Sequence, residues 1–116
     1  MDMMLLGETI LDFTDAAGVE YGFWMPARGN KGVAGVEVFR LSTANAFDVD
    51  LETKSSDEAD SAATSIGSVT LSSTTPQVYK FDVSDAKDLV RYKITTAAES
   101  MESVHLQFTQ PMWAPD

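Results

Sequence analysis

Residues 47–62 read FDVDLETKSSDEADSA, and six acids and one lysine fall within positions 48–60. So many carboxylates could hold a metal ion or do acid–base work. An EF-hand calcium loop needs a glycine at its sixth position and a glutamate at its twelfth. Counted from Asp48 these are Thr53 and Ala59, and counted from Asp50 they are Ser55 and Ser61, so both registers fail. A cation held by an irregular carboxylate site at a sandwich edge is the alternative. Glycosidase chemistry needs two carboxyls across a cleft, one with a raised pKa, and nothing in the pattern marks one of these acids as buried. The simpler reading puts Asp48, Asp50 and Glu52 on the wet face of a strand and Asp57, Glu58 and Asp60 in the loop after it.

Other chemistry is thinly represented. His105 is the single histidine, and there is no cysteine. A zinc site would rest on carboxylates, which is unusual, and no G-x-S-x-G context supports a nucleophilic serine. GNKGVAG (29–35) carries one lysine but lacks the order of a phosphate-binding loop, whose lysine follows its last glycine and precedes a helix. A hairpin or a flexible connection fits it better. No catalytic residue, cofactor or metal site is expected, and the chain is read as a non-enzyme.

The aromatic residues say more. In VEYGFWM (19–25), strict alternation would put Tyr21, Phe23 and Met25 on one face and Trp24 on the other. Such a strand is covered on both sides or meets a partner. Trp113 sits in PMWAPD, where two prolines argue against a continuing strand. It either packs back on its own domain or anchors another subunit. Tryptophan and arginine are typical interface anchors. The interface candidates are therefore Tyr21, Trp24, Arg28, Met112 and Trp113.

These residues need elements to position them, and the dominant hydrophobic period is two. Phe47, Val49 and Leu51 alternate with Asp48, Asp50 and Glu52; Val90, Tyr92 and Ile94 alternate with Arg91, Lys93 and Thr95. The same holds for Tyr79, Phe81 and Val83, and for Val104, Leu106 and Phe108. Further strands are expected at about 8–13, 19–25, 33–41 and 66–71. The breaks are TDAAG, ARGNKG, LSTAN, KSSDEADSAATS, SSTTP, SDAKD and TAAES, with a helical turn at most in EADSAA and SDAKD. About eight short strands at regular spacing predict an all-β fold: a single antiparallel β-sandwich, jelly-roll-like. Arg91 points outward in this scheme and faces the acids 48–52 across the sheet.

The chain has 116 residues and a formal charge of −10 from 18 acids and 8 bases. One domain, 1–116, is expected, with 1–7 and 111–116 as extended arms. The charge disfavours nucleic acid and anionic lipid. The start MDMMLLGETI lacks the basic n-region and long apolar run of a signal peptide, and no stretch approaches a membrane span.

The second half, roughly residues 45–115, resembles small β-sandwich proteins of tailed bacteriophages, head decoration or minor virion proteins encoded beside the major capsid protein. The likeness is carried by LETK followed by SSDEADSA, and by LVRYKIT followed by QPMWAP. It implies a capsid decoration or cement protein on the virion surface, assembled in the host cytoplasm. Its partner would be the major capsid protein, with self-association, for instance as a trimer. LVRYKI also resembles the penultimate strand of discoidin-like and carbohydrate-binding sandwiches, whose arginine supports a loop near the ligand site. The alternative expectation is thus a carbohydrate- or receptor-binding module, with Tyr21, Trp24 and Asn30 supplying a sugar platform.

Overall fold

The computed structural model describes residues 5–13, 18–41, 47–71, 76–96 and 102–114. Most of the expected breaks LSTAN, TAAES, TDAAG and SSTTP, residues 1–4 and the last two residues lie outside them.

Nine strands form among the described residues: β1 (Leu5–Phe13), β2 (Gly18–Tyr21), β3 (Met25–Pro26), β4 (Gly32–Leu41), β5 (Phe47–Lys54), β6 (Thr64–Leu71), β7 (Gln77–Val83), β8 (Leu89–Thr96) and β9 (Glu102–Trp113). One 3-10 turn, Asp60–Ala62, lies within EADSAA. The strands build two antiparallel sheets, one in the order β1-β9-β4-β7 and the other in the order β2-β8-β5-β6, with β3 also paired to β8. Counting β2 and β3 as one broken strand, the chain crosses to the other sheet at every step except the β5–β6 hairpin. This is the jelly-roll arrangement the sequence pattern predicts.

The inward rows are the expected ones. Phe47, Val49 and Leu51 of β5 and Val90, Tyr92 and Ile94 of β8 meet Ala34, Val36 and Val38 of β4 and Val104 and Leu106 of β9. Period-two apolar residues stand on one side of each strand, and burying two such faces against each other supplies the main stabilisation.

One polar group crosses this core. Tyr92 of β8 donates its hydroxyl to the Thr109 carbonyl at 2.6 Å and accepts the Gly35 N–H at 3.2 Å. Its ring stacks on Phe108 at 4.4 Å. The β4–β9 register shifts between Val33 and Gly35, and the Tyr92 hydroxyl serves backbone groups at that irregularity. Burial pushes its pKa up to about 12.

Gly67 of β6 lies against β7, where an added Cβ would come within 2.6 Å of the Asp82 carbonyl oxygen. The two sheets nearly join there, and the Ser84 N–H reaches the Ile66 carbonyl at 3.4 Å.

Four expectations are corrected. PMW (111–113) does not leave the sheet: β9 runs through buried Pro111 to Trp113. The register shift places Pro111 between the Thr109–Gly35 and Met112–Val33 pairs, so its missing N–H leaves no ladder position empty. For the same reason 111–113 is not an arm, and Leu5–Gly7 belongs to β1. GNKGVAG leads into β4 but is no hairpin, because it carries the chain from one sheet to the other. Finally, 19–25 is not one alternating strand. Tyr21 pairs with Lys93 and Met25 with Val90, so four steps on one side match three on the other.

Candidate functional site

The extra residue between Tyr21 and Met25 is a β-bulge, and bulges re-aim side chains. With it, Met25 turns into the core while Tyr21 stays on the outer face of the five-stranded sheet opposite Lys93. Trp24 comes out on that same face, and Phe23 is left 66% exposed. Three aromatic side chains in four positions therefore leave the core together. Strict alternation would have placed Trp24 opposite Tyr21.

Below them the sheet presents charged pairs set by register. Glu52 of β5 lies opposite Arg91 of β8, and Asp50 opposite Lys93. The Arg91 Nε donates to the Glu52 Oε1 at 3.0 Å, as cross-strand neighbours of opposite charge should. Its guanidinium carbon lies 4.0 Å from the centre of the Tyr21 ring and 4.4 Å from that of Trp24. The Lys54 Nζ lies 4.9 Å from the Trp24 ring. The aromatic cover takes Glu52, Lys54 and Arg91 out of solvent. The expected wet face is thus wet only at its far end: Asp48 is exposed, Asp50 half-buried and Glu52 buried.

The acidic loop completes the assembly. Lys54 donates to the Asp60 Oδ1 at 2.8 Å and to the Glu58 carbonyl at 3.0 Å. The Trp24 Nε1 donates to the same Asp60 oxygen at 3.1 Å, and an Arg91 nitrogen lies 3.7 Å from the other. Glu58 accepts the Ser55 N–H at 2.7 Å and pairs with Lys87 at 3.2 Å. Asp88 accepts the Ser56 N–H at 3.0 Å. The loop read as merely solvated is thus strapped to the sheet, and Asp60 straps Trp24 to it.

The electrostatics follow these contacts. The hydrogen bond from Lys54 holds the Asp60 carboxyl below the ordinary aspartate value, aided by the Lys54 charge, the Trp24 indole and Arg91. The Ser55 N–H and Lys87 lower Glu58. Burial raises Asp50, opposed by Lys93 and reinforced by Asp48 and Glu52.

Of the interface candidates, Tyr21 and Trp24 come together here. Arg28 does not join them: it is exposed on the 27–31 connection, which the Ala27 N–H and the Asn30 carbonyl tie to the 84–88 loop. Met112 and Trp113 lie on the other sheet, and Trp113 packs against its own core. Phe23, Lys54 and Asp60 escaped the sequence reading as site residues. Period two does place Lys54 on the Glu52 face, but the bulge that frees Phe23 leaves no trace in hydrophobicity. His105 is half-buried, its ring 5.0 Å from that of Phe39. Among the described residues no three His, Asp or Glu side chains are grouped to hold a metal ion. Nor is any helix among them long and apolar enough to cross a membrane.

The arrangement offers aromatic rings over buried cations, with polar groups beside them. No protein-family model matches the chain, and no curated protein matches it significantly. Among solved structures it is similar to a chain described as "CBM4 structure and function", at 13% identity with a TM-score of 0.57, over 92% of this chain and 72% of that one. That likeness shows the fold, a β-sandwich.

Proposed function

We propose that this chain is a non-catalytic binding module that holds a glycan against the outer face of its five-stranded sheet. The observation that carries the reading is the aromatic cluster over Arg91. Tyr21 and Trp24 both contact the guanidinium, while Tyr21 is 51% and Phe23 66% exposed. Sugar rings have apolar C–H faces that lie on aromatic rings and hydroxyls that need donors and acceptors. Rings fixed before binding lose little freedom on binding, and Asp50 and Lys93 form the next cross-strand pair on the same face, two positions from the Glu52–Arg91 pair. The solved neighbour is described as a CBM, a carbohydrate-binding module, which agrees with this reading. The test is calorimetric titration with soluble oligosaccharides, comparing wild type with the double variant Tyr21→Ala, Phe23→Ala. Saturable binding lost in the variant supports the proposal. Absence of binding across a broad panel contradicts it.

A second reading uses the same surface for protein. Val19 (43% exposed), Tyr21 and Phe23 form an apolar strip along and just beyond edge strand β2, as an interface anchor would. This suits the capsid decoration protein implied by the phage resemblance, with the major capsid protein as partner on the virion surface. Cosedimentation with assembled capsids tests it: wild type pellets with the shell and the double variant stays in the supernatant. Wild type remaining in the supernatant rejects it.

A further inference from the structure

The other sheet carries a groove that the cluster over Arg91 does not use. It has a volume of about 720 Å³ and lies where β4 begins and β7 and β9 end. Its floor and walls include Val33, Met112 and Trp113, and its rim carries Lys31, Asp82 and Ser84. Register explains the grouping. Asp82, Val33 and Met112 form one row across three strands and face outward, and Val83, Gly32 and Trp113 form the next, which faces the core. Gly32 lets the tryptophan lie down: an added Cβ would come within 3.1 Å of the Trp113 ring and 2.6 Å of the Met112 carbonyl oxygen. The Ala114 N–H donates to the Lys31 carbonyl at 2.9 Å and fixes the strand end beside it.

The polar groups of the two regions differ in what they are already doing. Around Arg91, the side chain of Glu52 is spent on Arg91 itself, and those of Lys54 and Asp60 on each other and on Trp24. In the groove, the side chains of Lys31, Asp82 and Ser84 make no hydrogen bond or ion pair among the described residues, and all three are exposed. They offer a cationic donor, an anionic acceptor and a hydroxyl that can do both. A wholly apolar occupant would strip water from Lys31 and Asp82 and return nothing. An anion meets Asp82 and a cation meets Lys31. A neutral ring with an apolar face and hydroxyls at its edge satisfies Val33, Met112 and all three polar groups. The volume falls in the range of ordinary ligand sites, about 300–1,000 Å³.

We infer that this groove is a second glycan subsite, taking a neutral sugar ring over Val33 and Met112, beside Trp113, with its hydroxyls toward Asp82, Lys31 and Ser84. The inference rests on the glycan-binding reading proposed above and adds a site on the opposite sheet.

The chain has two tryptophans, one per region, so the two sites can be read separately. Protein labelled with 5-fluorotryptophan gives two fluorine resonances, assigned with Trp24→Phe and Trp113→Phe. It is titrated with neutral oligosaccharides built on glucose, xylose, mannose or galactose. The expected result is a saturable shift of the Trp113 resonance by at least one of them. Asp82→Ala, an exposed change that leaves the fold intact, should weaken that response at least tenfold and leave any Trp24 response in place. A responding Trp24 beside a silent Trp113 overturns the groove and preserves the first proposal. A responding Trp113 alone preserves the groove and removes the sheet face. Silence of both across the panel overturns both. A Trp113 shift indifferent to Asp82→Ala and Lys31→Ala also overturns the groove, because the shift would then arise elsewhere.

Discussion

Asp60 is the residue on which the outer face turns. It is exposed, yet one of its oxygens receives both the Trp24 indole and the Lys54 ammonium. Its carboxyl titrates below the ordinary value of 3.8. A carboxyl depressed by folding contributes stability that is present above its unfolded value and lost as pH falls through the folded one. Trp24 should therefore be released only below about pH 3.8. Fluorescence of the Trp113→Phe variant, where Trp24 is the sole reporter, should show a transition there, and Asp60→Asn should remove it. Asp50 has the opposite sign. Its carboxyl lies above 3.8 chiefly through burial, so its charged form weakens the fold. Asp50→Asn should raise the melting temperature at pH 7, and the gain should shrink as pH falls toward 3.8. Tyr92 sits deeper. Tyr92→Phe keeps the ring on Phe108 but leaves the Gly35 N–H and the Thr109 carbonyl without their partner. A loss of about 2–3 kcal/mol is expected in urea unfolding.

At the scale of elements, the strands that alternate strictly were legible and the irregular ones were not. β5 and β8 show in the pattern because one face is apolar and the other charged. Even the Arg91–Glu52 pair follows from that alternation once the two strands are neighbours. The segment 19–26 misleads because a bulge adds a residue without changing composition, and period two then assigns Trp24 to the wrong side. Pro111 misleads for a related reason: a proline is compatible with a strand where the register skips. The acidic loop looked solvated because pattern reading sees its charges and not the partners that fold back onto it. Gly67 offers a check on the sandwich edge. Gly67→Ala drives a Cβ against the Asp82 carbonyl oxygen and the Val83 side chain, both under 3.0 Å. A cost of about 1–3 kcal/mol is expected, seen as a lower urea midpoint.

For the whole molecule, the jelly roll puts two candidate regions on opposite sheets. The net charge of −10 bears on what can approach. It repels anionic polymers at long range and is neutral toward an uncharged glycan. Binding by the outer face should therefore change little between low and moderate salt, whereas binding driven by ion pairs would weaken steeply.

The most direct measurement is the affinity of the wild-type chain and of the Tyr21→Ala, Phe23→Ala variant for the same oligosaccharide, with melting temperatures recorded beside it. Both side chains are half or more exposed, so the variant should fold with a nearly unchanged melting temperature and bind at least tenfold more weakly. A variant that stays folded and binds as the wild type does would contradict the assignment of this face.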